Sequence, residues 1–330
     1  SGEESIYTVG YFEGTADLDP DAIQVLNMTS MGGYDMFISK LNASGDLIWA
    51  DQIGSIGFDQ AMAIAVDTSG THSVYLTGAF QGTVDFDPGP QVVALTSIGD
   101  FDAFVLKLTG SGDLDWVKSF GGTSYEYGMG LSLDPSGNGM VHTVGYFSGS
   151  VDLDPDPFGT LNFTSAGNID LYISQLDGSG NFVSGMVGGG FAPDMALTVT
   201  TDPNGDLFLA GSFFSPTITL GNTTLTNAID FASTGDIFIA KLVRRDTGLH
   251  PDLETGHFIL YPNPARGEMI IRSDLDLRNT TIQLVDALGR EVLHTNFDSV
   301  MNVSHLAPGI YVLRIIDEAG LILSRRIIHD

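Results

Sequence analysis

The sequence of 330 residues contains no cysteine. Disulfides, thiolate metal sites and a cysteine nucleophile are therefore excluded together. No apolar run approaches the roughly 20 residues that a membrane-spanning helix needs. The amino terminus, Ser1-Gly2-Glu3-Glu4, has neither the basic nor the apolar part of a secretory signal. An exported form has lost its signal or carries it upstream of this chain. Tryptophan is scarce, with two residues, and so are cations, with 13 Lys and Arg against 41 Asp and Glu. The shortage is uneven. Residues 1–243 hold four Lys, no Arg and 29 acids, a net charge of −25. Residues 244–330 hold nine Arg, no Lys and 12 acids, a net charge of −3, and together the two parts give the total of −28. A surface this acidic repels phosphate backbones, which argues against nucleic acid as a partner. It suits divalent cations and keeps an extracellular protein soluble.

Glycine is abundant, at 41 residues, and it falls into a repeat. Ile6-Tyr7-Thr8-Val9-Gly10-Tyr11-Phe12 recurs as Val74 to Phe80, Val141 to Phe147 and Leu207 to Phe213. The glycines Gly10, Gly78, Gly145 and Gly211 are spaced by 68, 67 and 66 positions. Asp35-Met36-Phe37-Ile38-Ser39-Lys40-Leu41 recurs as Asp102 to Leu108, Asp170 to Leu176 and Asp236 to Leu242. Matches in register at a fixed period mark an array of structural units. Each complete unit reads as four strands. In the second unit these are Met62 to Asp67, Val74 to Phe80, Phe104 to Leu108 and Leu114 to Phe120, rich in β-forming residues and separated by Gly-containing turns. No segment holds a 3.6-residue period. Four antiparallel strands per unit is the blade of a β-propeller. The period of about 67 residues is long for such a blade, and the Asp-x-Asp-Pro loop after the second strand accounts for the excess. The array starts in a second strand and stops after a third, so further blades are expected upstream.

Tyr75-Leu76-Thr77-Gly78-Ala79-Phe80, Asp102 to Leu108 and Gly110-Ser111-Gly112-Asp113-Leu114-Asp115-Trp116 resemble the bacterial seven-bladed propeller repeat. That resemblance implies a fold and an extracytoplasmic setting, and no single activity.

The repeat fails after Val243. Residues 244–258 read as a linker, with Gly248, Pro251 and Gly256. Residues 259–330 then show short strands and turns of a different pattern, expected to form a small immunoglobulin-like sandwich. Tyr261-Pro262-Asn263-Pro264, the turn Asp286-Ala287-Leu288-Gly289-Arg290, Leu306-Ala307-Pro308-Gly309-Ile310-Tyr311 and the last strand with Arg325-Arg326 together resemble the type A C-terminal sorting domain of type IX secretion substrates in Bacteroidetes. The resemblance implies passage through the periplasm and across the outer membrane by the type IX translocon, with its shuttle and sortase-like protease as partners. It also implies removal of the tail, then attachment to surface lipopolysaccharide or release. The exposed backbone expected at Arg244-Arg245 is where such a protease would need access.

The candidate metal ligands are Asp17, Asp19 and Asp21, then Asp85 and Asp87, then Asp152, Asp154 and Asp156. Carboxylates at alternate loop positions are a common way to supply calcium with oxygen. Asp and Pro also start turns for backbone reasons, which is the competing account. The fourth unit reads Thr217-Ile218-Thr219-Leu220-Gly221 at this place, without acids, so the pair is not required to build the unit. No catalytic motif is present: there is no His-Glu-x-x-His, Gly-x-Ser-x-Gly or phosphate loop. Trp49 and Trp116 occupy equivalent positions and are expected to pack in the core. The expected function is a non-enzymatic surface or secreted scaffold, an adhesin for a glycan or protein ligand. The alternative is a secreted enzyme whose catalytic part lies upstream.

Overall fold

The structure, a computed structural model, describes residues 5–68, 70–135, 137, 139–157, 159–221, 223–228, 234–242, 258–261, 267–273, 280–286, 290–317 and 320–329. Every regular element in these residues is a β-strand. The chain divides into two compact units, the first being Ser1–Leu153 with Asn162–Arg244, and the second Asp154–Leu161 with Arg245–Asp330.

In the first unit the blade is plain. Gln60–Val66, Val74–Phe80, Asp102–Leu108 and Leu114–Gly122 form antiparallel neighbours in that order. Glu126–Leu133, Val141–Phe147, Asp170–Leu176 and Phe182–Gly188 repeat it. Ser5–Phe12, Asp35–Asn42 and Leu47–Ile53 supply the second to fourth strands of the unit before. Asp194–Thr201, Leu207–Phe213 and Asp236–Leu242 supply the first to third of the unit after. Gly10, Gly78, Gly145 and Gly211 all lie in second strands, opposite Phe37, Phe104, Tyr172 and Phe238.

These glycines answer to a β-bulge. The first strand carries an extra residue facing Gly78, Gly145 and Gly211, at Ala61/Ala63, Gly128/Gly130 and Ala196/Thr198. The bulge turns a carbonyl inward, so that a Cβ on Gly78 would sit 1.8 Å from Gln60 O, and one on Gly145 the same distance from Tyr127 O. No side chain fits there. The core is the stacked inner faces of the blades, where Val74, Leu76, Phe80, Phe104 and Leu106 are buried. Trp49 and Trp116 do pack at equivalent places, edge-on to Tyr7 and Tyr75.

The stretch read from sequence as an Asp-x-Asp-Pro loop is the end of a second hairpin. Thr15–Asp17 pairs with Asn27–Thr29, Thr83–Asp85 with Ala94–Thr96, and Ser150–Asp152 with Asn162–Thr164. Strands of three residues are too short to leave a readable alternation. The third of these hairpins also ties units together, since Gly121 and Gly122 of one unit pair with Asp152 and Val151 of the next.

The second unit holds a three-stranded sheet of Phe258–Tyr261, Glu268–Ser273 and Val300–Asn302. Its four-stranded sheet runs in the order Glu291–Asn296, Thr281–Asp286, Gly309–Asp317 and Gly320–His329. Met269, Ile271, Ile282, Leu284, Leu313 and Ile327 form one core. This is the expected sandwich.

Candidate functional site

Because the four strands of a blade alternate in direction, each blade has two unlike ends. One end carries the turns between first and second strands and between third and fourth strands. These are short, polar and closed by glycines of positive φ, such as Gly45 at 89°, Gly112 at 99° and Gly180 at 78°. Lysines brace this end across units: Lys40 Nζ donates to Gly110 O at 2.9 Å, and Lys107 Nζ to Gly178 O at 3.2 Å.

The other end gathers the starts of first and third strands and the ends of second and fourth strands. It is aromatic. Tyr34 lies between Tyr11 and Phe58, with ring centroids 5.1 and 5.4 Å away. Tyr127 meets Phe101 at 5.3 Å and stacks on Tyr146 at 5.3 Å and 19°. Burial first, and the neighbouring Tyr146 and Tyr125 next, push the Tyr127 phenol up to about 12. This end also carries exposed apolar side chains, with Ile56 at 89 %, Phe191 at 80 % and Ile98 at 75 %. Ile56 and Phe191 precede first strands, and Ile98 precedes a third strand, all at this end. The sequence reading missed it because the residues are scattered, two or three per unit, and meet only through the repeat.

The Asp-x-Asp-Pro carboxylates are engaged in their own turns. Asp17 Oδ1 accepts the N–H of Asp19 at 3.1 Å and of Leu26 at 2.8 Å. Asp19 Oδ1 accepts Asp21 N–H at 3.0 Å, and Asp21 Oδ1 accepts the N–H groups of Ile23 and Gln24. Those last two bonds hold the Asp21 carboxyl below its ordinary range. Asp85 Oδ1 accepts Asp87 and Val93, Asp87 Oδ1 accepts Gly89, and Asp154 Oδ1 accepts Asp156. Asp152 closes its hairpin opposite Asn162. Among the described residues no three carboxylate or imidazole groups gather at metal-ligand spacing.

A second set of acids is invisible as chemistry until the fold is formed. Asp35 with Asp59, Asp102 with Glu126, and Asp170 with Asp194 are each 24 residues apart and all buried. One member starts a third strand, and the other starts the next unit's first strand or, for Asp59, directly precedes it. Backbone N–H groups of Met31, Ile98 and Ala166 satisfy part of the first members. Asp59 and Asp194 are bonded to Gln81 N–H and to Phe214 and Ser215 N–H. Glu126 differs: neither carboxyl oxygen makes a hydrogen bond of normal geometry, although the Gly122 N–H pulls its carboxyl slightly down. Burial first, then Asp102, push it up to about 9. Asp102 and Asp170 are pushed up to about 6, chiefly by burial. The constant 24-residue spacing was the available signal.

In the tail, Tyr311 follows Gly309 into the long strand, and its hydroxyl donates to Ala307 O at 2.7 Å. Asp286 and Arg290 close the hairpin, with an N–H bond at 2.9 Å and an ion pair at 2.7 Å. Tyr261 ends the first strand, and Arg325 and Arg326 pair with Leu313 and Val312 along the last. Pro262, Asn263, Pro264, Gly289, Arg244 and Arg245 lie outside the described residues. Residues 259–329 match the family model described as a secretion system C-terminal sorting domain.

The tail is a type IX sorting domain. It addresses this protein to the type IX route and so to the cell surface or the extracellular space. The remaining likenesses are weaker. An uncharacterized WD repeat-containing protein of Acanthamoeba polyphaga mimivirus is 25 % identical over 233 residues, covering 63 % of this chain. The chain spans 16 % of that relative's length. Two solved structures from Porphyromonas gingivalis also align. PorZ, a surface component of the type IX system, is 13 % identical over 98 % of this chain and 51 % of its own, and latent dimeric PorU is 9 % identical over 99 % and 30 %. Both alignments have TM-scores of 0.19, so the fold rests on the strands described above.

Proposed function

We propose that the exported repeat segment is a non-enzymatic binding scaffold, an adhesin, of a bacterium of the Bacteroidetes, and that its aromatic end is the ligand surface. The observation that supports this is the asymmetry of the blades. One end carries glycine turns, and the other carries the ring clusters together with exposed Ile56, Ile98 and Phe191. The six paired acids are sealed inside and do not reach a ligand. The ligand is a surface glycan or protein that stacks on tyrosine and phenylalanine. The type IX translocon, its shuttle and its sortase-like protease act on the tail, and the blades are then anchored to lipopolysaccharide or released.

The test is binding of the full chain to a glycan array and to immobilised host surface proteins. Ile56→Asp with Phe191→Asp alters only exposed positions and is expected to abolish the signal. Ser111→Asp with Ser179→Asp, at the turn end, is expected to leave it intact. The reverse pattern would reject the aromatic end as the binding surface.

A further inference from the structure

The third unit departs from its neighbours in one consistent direction where it meets the second. Row by row, it sets Tyr172 where the second and fourth units have Phe104 and Phe238. Thr143 stands where they have Leu76 and Leu209, and Ser174 where they have Leu106 and Ala240. In the fourth strand Gly185 takes the place of Val117. Glu126 takes the place of Asp59 and Asp194 and is one methylene longer. Relative to the second unit, three of these changes add a hydroxyl and three remove bulk. The first unit also has a threonine and a serine at these rows, Thr8 and Ser39, but Thr8 is exposed.

Opposite residues of paired strands share a face, and so do alternate residues of one strand. Glu126 lies opposite Phe147, Tyr172 opposite Gly145 and Ser174 opposite Thr143, so these four side chains stand on one face. That face is turned to the second blade. Tyr172 meets Phe120 at 6.3 Å, and a Cβ on Gly128 would sit 2.0 Å from Thr77 Oγ1. Tyr172 and Glu126 are wholly buried, and Thr143 and Ser174 are 1 % exposed. Yet Tyr172 Oη, Thr143 Oγ1, Ser174 Oγ and both Glu126 carboxyl oxygens make no hydrogen bond of normal geometry within the protein. Buried polar groups are strongly disfavoured in that condition. The junctions on either side are apolar at the same rows. Leu76, Phe104 and Leu106 share a buried cluster with Met36 and Ile38, and Leu209 and Phe238 share one with Val144 and Ile173.

We propose that the junction of the second and third blades is an internal water site. A short file of ordered water molecules runs between the blades, from the Glu126 carboxyl past Tyr172 to Thr143 and Ser174. Successive rows on one face are about 7 Å apart along antiparallel strands, a step that one or two bonded waters span. The exchange of leucine for threonine and serine, and of valine for glycine, makes the room. The hydroxyls make that room polar, and a polar buried space holds water where an apolar one stays dry. Hydroxyls both donate and accept, so each water finds partners of both kinds. Val141 and Leu176 close the next row with buried apolar side chains. These two blades are then joined partly through solvent, whereas the neighbouring junctions are joined by direct apolar packing.

Magnetic relaxation dispersion of oxygen-17 water, in solutions of the full chain, detects long-lived internal waters and tests this. Thr143→Leu with Ser174→Leu restores the residues of the second unit and is expected to remove part of the dispersion amplitude. Tyr172→Phe takes away one hydroxyl and no packing, and is expected to remove a smaller part from a chain that still folds. Thr8→Val, at the exposed equivalent in the first unit, is expected to leave the amplitude unchanged. A crystal structure of the full chain is expected to show water oxygen bonded to Tyr172 Oη. Wild-type amplitude in Tyr172→Phe, or a Tyr172 hydroxyl bonded to protein alone, would each overturn the proposal, whether or not the double leucine variant folds.

Discussion

Glu126 faces Asp102 across the junction of two blades, and both carboxyls are buried. Two charges cannot persist there without partners, so at neutral pH the pair holds a proton. The folded value of Glu126, about 9, lies above its ordinary 4.5. A raised value means that the folded state binds the proton more tightly than the unfolded one. The resulting stability is fully present below about 4.5 and is lost as pH rises toward 9. Asp102 and Asp170 add smaller contributions, lost between 3.8 and about 6. Scanning calorimetry is therefore expected to show the melting temperature of the blades falling from pH 5 to 9. Glu126→Gln should flatten the fall above pH 6. A wild-type profile that is flat or rises over this range would show that the pair is ionised.

Gly78→Ala would place a methyl group 1.8 Å from the Gln60 carbonyl, which belongs to backbone and cannot swing away. The expected cost is about 3 kcal/mol or more, from overpacking at the bulge. Gly14→Ala is the control: φ is +72° there, with nothing within 4 Å of a Cβ. Only the left-handed backbone is strained, at about 1 kcal/mol. Urea unfolding of the two variants should separate them clearly.

At Asp85 and Asp87, the hydrogen bonds describe carboxylates used as turn acceptors. Asparagine keeps an Oδ1 acceptor. Asp85→Asn with Asp87→Asn is therefore expected to cost less than about 1 kcal/mol, and Asp85→Ala to cost about 1 kcal/mol more. Calcium titration followed by calorimetry distinguishes the second role expected from the carboxylate spacing. Heat of binding in the wild type that disappears in the double asparagine variant would establish a cation site, and its absence leaves turn formation.

Tyr311→Phe removes the bond to Ala307 O while keeping the ring in the sandwich core. The expected loss is about 1 kcal/mol, confined to melting of the tail. An unchanged tail would mean that the hydroxyl does not pin the preceding loop.

The blades were legible in the sequence because the repeat supplies four readings of one unit. Gly10, Gly78, Gly145 and Gly211 fall in equivalent strands, as their spacing implied. The small hairpins were not legible, since three residues such as Thr83-Val84-Asp85 show no period. The aromatic end escaped for another reason. Tyr34 and Phe58 belong to different units, and only stacking of blades brings them together. Glu126 read as one acid among 41 until its burial set it apart. The tail was readable from landmarks at Tyr261, Asp286, Gly309 and Tyr311, whose order and spacing carry the signal without the fold.

The central claim is that the tail exports the blades. Residues 244–330 fused to a periplasmic reporter, in a type IX-competent bacterium, measure it directly. The account predicts reporter in the medium or on the cell surface, dependent on a working translocon, and retention of the blades in the periplasm when residues 259–330 are removed. A reporter that stays in the periplasm, or blades secreted equally well without the tail, would contradict it.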